Sequence, residues 1–91
     1  MNSKEMPKYR SHKIVWALQI NEISEYSEDE NNPESYGALI YPEEKGYAAF
    51  RVDKEYLEKH KPKAGGYYVV YEDGYKSFSP AEPFEKGYSK I

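Results

Sequence analysis

Residues 13–20 alternate in character, with Ile14, Trp16, Leu18 and Ile20 on one side of an extended segment and Val15, Ala17 and Gln19 on the other. That pattern predicts a strand with one strongly apolar face. It stops at Asn21. Residues 21–35 are polar, acidic and interrupted by Asn31-Asn32-Pro33, which predicts a long loop or partly disordered insertion. Removing residues 25–33 is then expected to leave the fold intact, because the segment has little to bury and loop length changes cost little. Two further apolar runs, residues 37–41 and 47–52, predict a pair of strands joined by a hairpin loop over residues 42–46. Residues 1–7 carry no periodic signal and are expected to fray.

Helical signals follow. Asp53 stands where an N-cap belongs, ahead of a short helix over residues 54–60 whose end carries Lys59, His60 and Lys61, and Pro62 stops it. Residues 65–80 then give a strand, turn and strand crowded with rings, pivoting on Asp73-Gly74. A two-residue loop pairs Glu72 with Tyr75, whereas a three-residue loop pairs Tyr71 with Tyr75, and the pattern leaves both registers open. Ser79-Pro80-Ala81-Glu82 reads as a capping box with proline at the first helical position. Phe84 and Tyr88 would share a face of the last helix, and Pro83 keeps it short. The order β-β-β-α-β-β-α predicts a single α+β domain over residues 1–91: a small, mainly antiparallel sheet or half-open barrel with one or two short helices.

Ninety-one residues bury a thin core, about 60–65% of the unfolded surface. Eleven tyrosines, three phenylalanines and Trp16 enlarge it, each ring covering about 150–250 Å². Adjacent strand residues point to opposite faces, so Tyr67, Tyr68, Tyr71 and Tyr75 cannot all enter one core. Some of these rings are expected at an outer surface, as a protective face, a protein interface or a stacking platform for a nucleotide base. The absence of cysteine suits a reducing compartment and excludes thiolate chemistry. With no signal peptide or long apolar run in view, a soluble protein is expected, with no membrane partner.

Charge is unevenly distributed behind a net value of -3. Residues 1–13 carry four basic side chains against Glu5, residues 14–44 carry eight acids and no lysine or arginine, and the remainder carries nine basic and seven acidic side chains. A large basic face is missing, which argues against duplex nucleic acid as a partner. A local anion pocket remains open, with Arg10, His12 and Lys13 grouped near the first strand and Arg51 as a further phosphate candidate.

No reaction is assigned. His12 and His60 lack metal-ligand spacing, and the acidic run of residues 29–34 lacks the glycine and distant glutamate of a calcium loop. Glu43 and Glu44 are consecutive, so in an extended segment they point apart and read as a charged turn. Ser11, Ser77 and Ser79 have no identifiable histidine–acid partners, and Gly65-Gly66 lacks the strand-to-helix setting of a phosphate loop. The reading therefore expects no enzyme, no metal and no cofactor.

Lys8-Tyr9-Arg10-Ser11-His12-Lys13 ahead of Val15-Trp16-Ala17-Leu18, Pro42-Glu43-Glu44 ahead of Gly46-Tyr47-Ala48, residues 65–80, and Phe84-Glu85-Lys86-Gly87-Tyr88 together resemble a group of short phage and prophage proteins. The resemblance covers nearly all the chain outside the acidic stretch. It implies an accessory protein acting in the host cytoplasm by binding a host component, including antiviral defence proteins or their nucleotide signals. A non-enzymatic accessory protein that binds and modulates a host protein, with counter-defence inhibition as one form of this, is the expected function, with a nucleotide-sequestering anti-defence protein and a small virion component as alternatives. The expected contact residues are Tyr67, Tyr68, Tyr71, Tyr75, Arg10, His12 and Lys13. A homodimer is expected, because self-association would cover both rings and strand edges.

Overall fold

The strand that begins at Ile14 runs on to Ser27. In the computed structural model, which describes residues 5–91, the elements are β1 (Lys8–Arg10), β2 (Ile14–Ser27), a 3-10 turn (Pro33–Ser35), β3 (Tyr36–Pro42), β4 (Phe50–Asp53), α1 (Lys54–His60), β5 (Tyr67–Tyr71), β6 (Lys76–Ser79), α2 (Ala81–Gly87) and β7 (Ser89–Lys90). All strand pairs are antiparallel, and the fold is α+β with an open sheet rather than a barrel.

β2 is the spine. Its first half pairs with β1 and, along the other edge, with β5, while its second half pairs with β3 from Glu22 opposite Tyr41 to Ser27 opposite Tyr36. The expected loop over residues 21–35 is thus strand as far as Ser27. The register shifts between Ile20 and Glu22, so Asn21 is an extra residue that reverses which side of the strand faces inward. Ile20 and Ile23 accordingly pack with the same core cluster although three positions separate them. A period-2 reading loses the strand at that bulge.

Both faces of the sheet are covered. On one side Ile20, Ala38, Ile40, Val52, Tyr56 and Tyr68 form a cluster under α1. On the other, Val15, Ala17, Tyr67 and Val69 pack against Phe84 of α2. The expectation of one apolar face on the first strand is corrected: Val15 and Ala17 are as buried as Ile20. Phe84 stacks on Tyr67 at 4.2 Å and on Tyr88 at 4.7 Å between ring centroids, so the Phe84–Tyr88 contact forms, although Tyr88 is the extended residue that ends α2 rather than part of its face.

Asp53 caps α1 through a 2.8 Å bond from the Tyr56 N–H to its carboxylate, as its position predicts. The Ser79 capping box does not form. Pro80 occupies the cap position of α2, and the Ser79 hydroxyl donates instead to the Pro80 carbonyl at 3.1 Å. Only the latter part of the run 47–52 enters β4. At the N-terminus, Met6 packs on the α1-side core and Pro7 is buried, its carbonyl accepting the Ala17 N–H at 2.9 Å. The expected fraying is therefore replaced by a docked segment over residues 5–7, with residues 1–4 outside the described part.

Candidate binding surface

The β5–β6 hairpin adopts the three-residue register. The Tyr71 N–H donates to the Tyr75 carbonyl at 2.9 Å, and the Gly74 N–H donates to the Tyr71 carbonyl at 2.9 Å. Gly74 sits at φ 90°, a conformation that side chains other than glycine's adopt at a cost, and this closes the loop. The Asp73 carboxylate accepts the Tyr75 N–H at 3.0 Å and pins the returning strand.

This register sets Tyr71 and Tyr75 side by side, their rings nearly parallel at 16° with centroids 5.9 Å apart. Lys13, from the β1–β2 turn, places its ammonium 4.8 Å from the Tyr71 ring centroid. At the other end, Lys59 lies 5.2 Å over Tyr75, and the His60 ring meets Tyr75 edge-on at 5.8 Å with its Nε2 3.4 Å from the phenol oxygen. His60 in turn contacts Tyr56 at 5.0 Å. Burial and the neighbouring Lys59 hold the His60 imidazole below its ordinary pKa. The result is a ladder of cation, ring, ring and cation drawn from three separate segments. Shallow cavities flank it, one of about 440 Å³ reaching Lys13, Glu72 and Asp73, and one of about 300 Å³ reaching Glu55, Lys59 and Lys76.

Of the residues expected at a contact surface, Tyr71, Tyr75 and Lys13 meet here. Tyr67 and Tyr68 do not. They are 7% and 6% exposed and serve opposite cores, Tyr67 donating to the Glu85 carboxylate at 2.8 Å and Tyr68 packing 4.6 Å from Phe50. Burial raises both hydroxyl pKa values, with Glu85 adding to the shift at Tyr67. Arg10 and His12 are exposed on β1 and its turn, outside the ladder. Arg51 is already engaged: its guanidinium donates to the Tyr26 hydroxyl at 3.0 Å and the Ser35 carbonyl at 3.1 Å, with Glu28 at 4.0 Å. Lys59 and His60 were legible only as charges at a helix end, because their meeting with Tyr75 is tertiary.

The other chemical candidates stay local. Ser11 approaches His12 Nδ1 at 3.2 Å on an exposed turn, and among the described residues no carboxylate partners that ring. Glu44 bonds Lys90 at 3.3 Å. Among the described residues no three His, Asp or Glu side chains gather as a metal-holding cluster, and no helix is long and apolar enough to cross a membrane. Comparison with family models, curated proteins and solved structures finds no match, so the surface is read from its own geometry.

Proposed function

We propose that this chain is a non-enzymatic binding protein that grips a host protein through the Tyr71–Tyr75 tip. The observation that carries the reading is Tyr75: its side chain is 43% exposed, yet it is stacked on Tyr71, edged by His60 and tied through its backbone to Asp73. An exposed ring held this way offers contact area without the ordering cost of about 0.5–1.5 kcal/mol that a loose side chain incurs on binding. Tyrosine in such a setting is a preferred anchor. Lys13 and Lys59 flank the rings while Glu72 and Asp73 edge the neighbouring cavity, a mixed rim that selects partner orientation more than it adds affinity.

The resemblance to short phage and prophage proteins supports a cytoplasmic host target and, within that class, inhibition of a defence protein. Affinity capture from host lysate, with mass spectrometry of both proteins and small molecules, tests the reading. The wild-type chain is expected to retain one specific protein, and Tyr75→Ser to weaken that complex by about 2 kcal/mol, roughly thirtyfold. Equal capture by wild type and Tyr75→Ser would defeat it.

A further inference from the structure

A cavity of about 660 Å³ lies between the end of α1, the loop that follows, β6 and the start of α2. His60, Lys61 and Lys63 wall it, and Phe78, Pro80 and Ala81 form its apolar floor. The floor depends on Gly66. A Cβ there would sit 2.4 Å from the Phe78 ring and 2.8 Å from the Ser79 carbonyl oxygen, so the ring can lie against this backbone only because the position has no side chain. The wall depends on the end of α1, where Lys61 takes a left-handed conformation at φ 47° and its N–H closes on the Leu57 carbonyl at 2.9 Å.

Carboxylates are missing from this lining. Of the acids on the two helices, Glu58 pairs with Lys54 at 4.0 Å and Glu82 with Lys86 at 3.5 Å. Lys61 directs its ammonium to the Glu58 carbonyl at 3.0 Å, and among the described residues neither Lys61 nor Lys63 has a carboxylate partner. Uncompensated cations along one wall of an apolar trough call for an anion attached to a flat apolar body. An inorganic anion would leave the floor uncovered, and a neutral ring would leave the lysines unanswered. We infer that this groove binds an aromatic organic phosphate of nucleotide size, its phosphate held by Lys61, Lys63 and His60 and its ring system lying along Phe78 and Pro80. The cavity falls within the range of about 300–1,000 Å³ usual for small-ligand sites, and phosphate on lysine with a base on an aromatic face is a recurrent pairing.

Amide NMR titration of the whole chain with adenosine monophosphate, adenosine and inorganic phosphate tests this. The nucleotide is expected to move the amide signals of residues 63–66 and of Phe78, Ser79 and Ala81 saturably, with adenosine and phosphate each at least tenfold weaker. The double variant Lys61→Glu, Lys63→Glu changes two exposed side chains and should keep the dispersed spectrum of the fold while binding the nucleotide at least tenfold more weakly. No saturable shift at millimolar nucleotide, undiminished binding by the double variant, or phosphate binding as tightly as the nucleotide would each overturn the inference.

Discussion

Aromatic rings do opposite work in this chain, and their surroundings decide which. Phe84 is 2% exposed and touches Tyr9, Tyr67 and Tyr88, so Phe84→Ala should cost about 3–5 kcal/mol of folding stability, measured by urea unfolding. Tyr75→Ser removes a ring that rests on the surface and should cost about 1 kcal/mol or less by the same measurement. Equal losses in the two variants would mean that Tyr75 belongs to the core. Ionisation gives an independent check. Burial raises the hydroxyl pKa of Tyr9, Tyr56, Tyr67 and Tyr68 above the ordinary 10.0. The unfolded chain therefore releases these protons first, so the stability they confer is complete below about pH 10 and is lost as pH rises beyond it. Urea midpoints are expected to fall between pH 9 and pH 11, with part of the tyrosinate absorbance appearing only on unfolding. A flat midpoint across that range would contradict the assignment of these phenols to the core.

At the scale of elements, β2 carries the most weight. Deleting residues 25–33 would remove the rungs Glu25–Ala38, Tyr26–Gly37 and Ser27–Tyr36 together with the Tyr26 hydroxyl that holds Arg51. At about 1 kcal/mol per backbone hydrogen bond, the deletion should cost about 2 kcal/mol or more, and an unchanged thermal midpoint would show that the second half of β2 is dispensable. Asp53→Ala should cost about 1 kcal/mol through loss of the α1 cap. Local chemistry was legible in both the Asp53 cap and the turn at Asp73-Gly74, since a cap and a positive-φ glycine are properties of a few adjacent residues. Alternation likewise marked the first half of β2. Its second half was hidden because Asn21 inserts a bulge and because a ladder is satisfied by backbone groups whatever the side chains carry. β1 and β7 are too short for a periodic signal, and their pairing brings together residues about eighty positions apart. The same limit hid part of the candidate surface: Tyr71, Tyr75 and Lys13 could be named from their chemistry, but Lys59 and His60 join them only through the docking of α1 beside β6.

Across the whole molecule, charge is unevenly placed. The described chain extends 44 × 27 × 24 Å. The eight acids of residues 14–44 lie along β2, the turn beyond it and the end of β3, whereas the Tyr75 tip and the basic groove gather on α1, β5 and β6. Self-association has less apolar surface to work with than the tyrosine count implies, because Tyr41, Tyr75 and Ile91 are the large apolar side chains left exposed among the described residues. Partner binding at the hairpin tip is the central claim, and site-specific photocrosslinking in host cells tests it most directly. A benzophenone side chain placed at Tyr75 should yield one discrete adduct with a host protein, strongly reduced when Lys13→Glu and Lys59→Glu are added, while the same group at Tyr41 yields none. Matching adduct patterns from the two positions, or an adduct at Tyr75 indifferent to both lysines, would contradict the account.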